Sequence, residues 1–325
     1  MVKEEQKRLV EGAPKVKKFG RDLGERGIYD IRNPLNDLTG REWTHFINSV
    51  METDFASDED ELELWKFLQD SVIPTYYTTN GNDSVGHKLR KAHPSPKPPT
   101  LMRDIIKFFT KEDQWVLDPF MGVGGTLLGT SLCEPLRNSV GIDLSKGYID
   151  IYDQVCNQEN LKKQITIKGD ARDLGKFPEI NSKVFDLILT DPPYANMLSK
   201  KRTGGDRRDK GNFTEDERDL GNVAYQEFLV ELRGIIKQSM KFLKNKGYVI
   251  LFCKDLQPTK DHHNLLHADI VSSLLEIPNL RFKGYKIWYD KTINLYPYGY
   301  PFSFVANQLH QYILIFRKED EIHRK

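Results

Sequence analysis

Residues 184–194, VFDLILTDPPY, constrain this chain more than any other stretch. The apolar run from Phe185 to Leu189 reads as a buried parallel strand. It stops at Asp191, Pro192, Pro193 and Tyr194. A carboxylate, two prolines and an aromatic ring therefore stand where an α/β sheet presents its ligands, at the carboxyl end of a strand. Proline has no N–H, so the turn offers carbonyl oxygens, and an ionised carboxylate is also acceptor-only. A site made of acceptors wants a donor, and an exocyclic amino group carries two. Tyr194 supplies a ring face for stacking.

The surrounding pattern alternates strand and helix. Strands are expected at 115–118, 140–143, 165–168, 185–190, 248–253, 285–289 and 312–316. Helical stripes lie between them: one running from a glycine loop to about Cys133, one through Tyr148, Ile149, Tyr152, Val155 and Cys156, one through Phe228, Leu229, Leu232, Ile235, Ile236 and Leu243, and one over 263–276. Repeated strand–helix units predict an α/β, doubly wound, mostly parallel sheet. Upstream, residues 1–85 form a tail and a helical extension. Thr39 and Glu42 have capping-box spacing ahead of a stripe of Trp43, Phe46, Ile47 and Val50. A second helix begins near Ser57 and ends at Pro74. Residues 76–87 read as a loop. His93-Pro94-Ser95-Pro96-Lys97-Pro98-Pro99 is extended backbone, a stiff rail that carries Lys97, and Thr100 can cap the helix over 101–109.

Apolar residues make up 38% of the 325, enough for a sizeable core. The net charge of +1 excludes a wholly basic nucleic-acid protein but not a local basic patch. Cys133, Cys156 and Cys253 are isolated in apolar contexts, which predicts buried thiols in a reducing compartment. No apolar run approaches membrane-spanning length and the N-terminus has no signal-like core, so a cytoplasmic protein without a membrane partner is expected.

Three more strand ends carry chemistry. Gly122, Gly124 and Gly125 follow the first strand and open a helix, so backbone can approach a ligand closely. The dinucleotide fingerprint fails at Leu127, which disfavours a pyrophosphate. Asp143, at the end of the second strand, is placed to accept from ribose hydroxyls. Asp170, at the end of the third, is placed to meet an adenine amino group. Together they outline a site for an adenosine-containing ligand.

On these residues the chain resembles the S-adenosyl-L-methionine-dependent amino-methyltransferases of DNA, which make N6-methyladenine or N4-methylcytosine. The matching motifs are His93 to Pro98, Asp118-Pro119-Phe120-Met121-Gly122-Val123-Gly124-Gly125-Thr126, Gly141-Ile142-Asp143, Gly169-Asp170, Asp191-Pro192-Pro193-Tyr194 and the closing Gln311 to Lys318. The resemblance implies a seven-stranded Rossmann-like methyltransferase domain over 86–325, its last strand antiparallel and inserted between strand five and its neighbour. Lys97, Pro98 and the loop from Asp118 to Thr126, with Pro119, Phe120, Gly122, Gly124 and Gly125, would hold the methionine part of the cofactor. Asp143 would hold the ribose and Asp170 the adenine. Asp191 and the Pro192 carbonyl would accept from the target amino group, with Pro193 completing the turn, and Tyr194 would stack on a flipped-out base. Asp at the first motif position favours adenine within the family, where N4-cytosine enzymes more often carry Ser.

The implied partner is double-stranded DNA; a cognate restriction enzyme or a second copy of the chain are the further partners the resemblance allows. Two departures stand out. Thr126 alone follows Gly125, and the cofactor motifs precede the Asp-Pro-Pro-Tyr turn although their wording resembles a subgroup with the reverse order. Sequence recognition then falls to smaller pieces. One is the basic loop within 195–222, with Lys200, Lys201, Arg202, Arg207 and Arg208. The other is the aromatic segment 291–306, with Tyr296, Tyr298, Tyr300 and Phe302. His263 and His267 are four apart, but no third ligand accompanies them and no metal site is expected. An RNA base methyltransferase and a non-catalytic cofactor-binding subunit are the rival readings.

Overall fold

In the computed structural model, the described residues are 19–39, 42–43, 50–52, 85–194, 214–255, 263, 265–289 and 310–320. The strands are β1 (Gly20–Asp22), β2 (Ile28–Asp30), β3 (Val50–Glu52), β4 (Trp115–Asp118), β5 (Asn138–Asp143), β6 (Ile165–Lys168), β7 (Phe185–Thr190), β8 (Leu243–Cys253), β9 (Leu280–Tyr289) and β10 (His310–Lys318). The helices are α1 (His87–Arg90), α2 (Pro99–Phe109), α3 (Gly125–Ser131), α4 (Lys146–Gln158), α5 (Pro178–Asn181), α6 (Tyr225–Ser239) and α7 (Leu266–Leu274).

The main sheet runs β3-β9-β10-β8-β7-β4-β5-β6. Strands β4 to β8 are mutually parallel, and β10 lies antiparallel between β8 and β9. These seven are the strands expected, and the last of them sits antiparallel beside the fifth, as the resemblance implied. The eighth is β3, parallel to β9, with Val50 opposite Ile287. Val50 thus belongs to an edge strand and not to the end of a helical stripe; residues three apart can mark a helix, but here backbone pairing decides. The described part of the extension also holds the antiparallel β1–β2 ribbon, so it is not purely helical. The proposed helix from Ser57 lies outside the described residues.

Alternation along each strand sorts the core into two faces. Leu187, Leu189, Ile250, Phe252 and Ile313 turn towards α2, whose Leu101, Ile105, Ile106, Phe108 and Phe109 are buried with them. Ile188, Val249, Leu251 and Leu314 turn the other way, under Phe228, Leu232 and Ile236 of α6 and Ile270 and Leu274 of α7. Each such side chain stabilises the fold by about 1.5–3 kcal/mol relative to exposure. The extension is tied to the first face. Leu38 joins its core, Trp43 packs on Phe108 at 4.9 Å, and Asn36 donates to the Phe108 carbonyl. The capping box forms as read: the Thr39 amide donates to Glu42 Oε2 at 2.7 Å and the Glu42 amide to Thr39 Oγ1 at 3.4 Å.

Two local boundaries differ from the sequence reading. Thr100 does not cap α2; the helix starts two residues earlier than expected, with Pro99 at its first position, where a missing N–H costs nothing. Leu243 opens β8 instead of closing α6. The Lys318 ammonium bridges the change: it donates to the Met240 carbonyl at the helix end and to the Leu243 carbonyl at the start of β8, at 3.0 and 2.8 Å. All three cysteines are buried and free. Among the described residues no helix is long and apolar enough to cross a membrane.

Candidate active site

The carboxyl ends of β4, β5, β6 and β7 open into one cavity of about 810 Å³ that is continuous with solvent. Each strand delivers an aspartate. At the end of β4, Asp118 is buried, 2% exposed. Its Oδ1 accepts from the Thr190 hydroxyl at 2.6 Å and the Phe120 amide at 3.0 Å. At the end of β5, Asp143 accepts the Gly122 amide on Oδ2 at 2.8 Å and the Ser145 amide on Oδ1 at 2.7 Å. One carboxylate thereby fixes both the glycine loop and the start of α4. After β6, Asp170 accepts the Arg172 amide at 2.9 Å and pairs with its guanidinium at 3.1 Å. That guanidinium also reaches Glu231 at 2.7 Å. After β7 comes Asp191.

Glycine is required in the loop for stated reasons. Gly122 has φ +50 and Gly124 φ +77, both in the left-handed region. A Cβ at Gly124 would stand 2.3 Å from the Tyr152 ring. A Cβ at Gly125 would stand 3.1 Å from the Lys97 carbonyl, so a side chain there would crowd the rail that carries Lys97.

Burial raises two of the acids. Asp118 is pushed up to about 6 by desolvation, and hydrogen bonds from Thr126, Thr190 and Phe120 pull it only partly back. Asp143 is likewise pushed up to about 6 by desolvation against the Ser145 and Gly122 amides, with Asp118 and Asp219 adding repulsion. The sign follows. A carboxyl whose folded value lies above its unfolded one contributes stability at low pH that is lost as pH rises through about 6. The fold therefore carries these charges at a cost near neutrality. Tyr148, beside them, is pushed up to about 12, first by burial and then by Asp143 and Asp219.

Of the residues named from sequence, Lys97, Asp118, Pro119, Phe120, Gly122, Gly125, Thr126, Asp143, Asp170, Asp191 and Pro193 line the cavity. Pro98, Gly124, Pro192 and Tyr194 do not line it. Pro98 caps α2 and Gly124 caps α3. Pro192 is buried. Tyr194 is half-buried against the α6-side core, and its hydroxyl donates to Asp191 Oδ1 at 2.8 Å. Lys200, Lys201, Arg202, Arg207, Arg208 and the aromatic segment 291–306 lie outside the described residues.

Among the lining residues that the sequence reading did not name as site residues, three stand out. Tyr148 sits edge-on to His93 at 4.8 Å. Asp219, 4% exposed, accepts the Thr214 hydroxyl at 2.8 Å and the Gly221 amide at 2.8 Å. Leu220, buried beside it, adds apolar wall. In the sequence, Asp219 follows Glu215, Asp216, Glu217 and Arg218, so it reads as one more solvated charge. Among the described residues no cluster suited to a metal ion occurs; His267 is held by Asp255 at 2.7 Å.

A family model described as DNA methylase matches residues 13–154 and 185–324. The type II methyltransferase M2.DpnII of Streptococcus pneumoniae is 30% identical over 135 residues, 39% of this chain and 48% of that protein. The tRNA (guanine(10)-N2)-dimethyltransferase of Methanothermobacter thermautotrophicus is 25% identical over 191 residues, 55% of this chain and 54% of that one. The chain thus spans about half the length of the curated relatives it matches. Among solved structures, TrmN from Thermus thermophilus superposes with a TM-score of 0.46 at 16% identity, covering 72% of this chain and 53% of the other.

Proposed function

Because this chain belongs to the DNA methylase family, we propose that it transfers a methyl group from S-adenosylmethionine to the exocyclic N6 of adenine in duplex DNA, acting on a base turned out of the helix. The observation that carries the reading is the placement of Asp191 on the same cavity as the glycine loop and the three other strand-end aspartates. The cavity fits the cofactor's parts. The half-buried Asp143 carboxylate, with two amides already bound, keeps lone pairs for ribose hydroxyls. Leu144, Ala171 and Leu220 give an apolar slot for a purine. Asp118 and Asp191 add negative charge where a sulfonium would lie. Gly125 and Lys97 both line the cavity, and a side chain at 125 would crowd Lys97.

When bound, the cofactor supplies a methyl group on positively charged sulfur, and as the N–C bond forms the S–C bond breaks and leaves its electron pair on sulfur. The protein's part is positioning and electrostatics. A target amino nitrogen has its lone pair delocalised into the ring. In this reading, Asp191 and the Pro192 carbonyl accept both its protons and draw it towards a tetrahedral form. The same acceptors stabilise the charge that develops on nitrogen, whose surplus proton then leaves to solvent. No covalent enzyme intermediate is needed. Tyr194, rotated from its present contact with Asp191, would stack on the base.

The decisive experiment is transfer of tritiated methyl from S-adenosylmethionine to duplex DNA and to RNA, with the product nucleoside identified by mass. N6-methyladenine in DNA is the expected product. N4-methylcytosine would move the reading to the other base, and label confined to RNA would favour a second reading, an RNA base N-methyltransferase, which the likeness to the tRNA enzyme supports. The raised acids add a pH dependence. As an acceptor for ribose hydroxyls, Asp143 works in its charged form, which fills as pH rises through about 6. Cofactor affinity measured by calorimetry should therefore strengthen by roughly tenfold between pH 5 and 7, one unit of pH changing ionisation tenfold below the midpoint. A flat profile would count against Asp143 as the ribose acceptor.

A further inference from the structure

Asp191 does not stand alone at the end of β7. Its Oδ2 is paired with the Lys97 ammonium, and its Oδ1 accepts the Tyr194 hydroxyl at 2.8 Å. Lys97 is almost wholly enclosed, 5% exposed. Its ammonium lies 5.5 Å from the centre of the Phe252 ring on β8. The two partners differ in access: the Lys97 side chain is 4% exposed and that of Asp191 16%. The carboxylate is thus the open side of the pair and the ammonium its buried back.

The backbone under Lys97 is held as firmly as its head. The buried Arg90 guanidinium donates to the Lys97 carbonyl, and α3 passes so near that a Cβ at Gly125 would stand 3.1 Å from that same carbonyl. Prolines stand at 96, 98 and 99, so the rail has few alternative conformations. A buried ion pair is a poor device for stability, because desolvation cancels most of the Coulomb gain and an apolar pair of similar volume does as well or better. What such a pair does well is fix one carboxylate in one place.

We propose that Lys97 is a positioning residue of the methyl-transfer step: its ammonium holds the Asp191 carboxylate from behind, so that the remaining lone pairs face the target amino group. The proposal rests on the reading of Asp191 as the acceptor for that amino group. It differs from the role the sequence implied for Lys97, a ligand of the cofactor's methionine part. Asp191 has four lone-pair positions and two are taken by Lys97 and Tyr194. When Tyr194 turns to the base, Lys97 is the contact that remains. Asp118 and Cys253 also lie within electrostatic reach of Asp191, and neither is a cation.

The test compares Lys97→Met, Lys97→Arg, Asp191→Asn and the Lys97→Met/Asp191→Asn double variant in the full chain. Two quantities are read: the dissociation constant for S-adenosylmethionine by calorimetry, and the single-turnover rate at saturating cofactor on unmethylated duplex DNA, or on RNA if that is the polymer the wild type labels. The expected result is a rate at least 30-fold lower for Lys97→Met with cofactor affinity changed less than threefold. Lys97→Arg should recover at least fivefold of that loss. The double variant, which leaves no orphaned buried charge, should be folded and no more than threefold slower than the slower single variant. The proposal is overturned if Lys97→Met weakens cofactor binding tenfold or more while its rate at saturation is kept, or if the two losses multiply in the double variant. A wild type that binds cofactor but labels neither polymer overturns the underlying reading, and this proposal with it.

Discussion

Asp191→Asn is expected to slow methyl transfer by about 10²–10³-fold while leaving S-adenosylmethionine affinity within a few-fold of wild type. The magnitude is that of removing one preorganised partner of a charge that develops only in the transition state. Asparagine keeps the shape and one acceptor oxygen, which can still accept from the Lys97 ammonium, but it loses the negative charge and turns a donor NH2 towards the target amino group. Alanine is the less informative change. It would leave Lys97, 4% exposed in its side chain, as an unpaired buried charge, and breaking a buried pair in this way costs about 3–5 kcal/mol. Lost activity in Asp191→Ala would then mix catalysis with folding. Single-turnover rates with equilibrium cofactor binding separate the two, and an Asp191→Asn enzyme within tenfold of wild type would remove this residue from the catalytic centre.

Gly124→Ala should be the most damaging single-methyl change in the cofactor loop. At φ +77 an alanine sits in the left-handed region, at about 1–2 kcal/mol. Its Cβ would also stand 2.3 Å from Tyr152 Cδ2. That ring cannot easily retreat: it is fully buried, and its hydroxyl accepts the Gln164 amide at 2.8 Å just ahead of β6. Overpacking of this kind adds about 1–3 kcal/mol. The expected total, roughly 2–5 kcal/mol, appears as a lower midpoint in denaturant, together with weaker cofactor binding as the start of α3 is displaced. An unchanged midpoint would show that the loop has another conformation open to it.

Much of the sheet was legible because each parallel strand is a short apolar run with a polar residue at its carboxyl end. Asp118, Asp143, Asp170 and Asp191 all stand at such ends, and the cavity gathers all four. The insertion of β10 came from the resemblance, since nothing in Tyr312 to Phe316 says which neighbours it takes. What remained hidden depends on contacts distant in sequence. Lys97 and Asp191 are 94 residues apart, and no local pattern links a lysine among prolines to a carboxylate on another strand. Val50 carries a spacing that suits a helix, and its strand exists only because Ile287 lies opposite. Asp219 is enclosed by elements that pack around it, not by its own neighbours, whose charges suggest solvent. Leu243 continues the stripe of α6 on paper, yet it opens β8, where its carbonyl accepts from a lysine of β10 that is distant in sequence.

The seat of β10 has a thermodynamic consequence. Strand β9 bonds only to β10 and β3 among the described residues, and β3 only to β9. Both therefore reach the rest of the sheet through the nine residues of β10. Backbone opening in the outer strands is nested: β3 can detach alone and β9 can detach with β3, but any fluctuation that frees β10 from β8 releases all three. The aspartates of the cavity all lie on segments that precede β9 in the chain. Their half of the sheet makes its backbone pairings without the outer three strands.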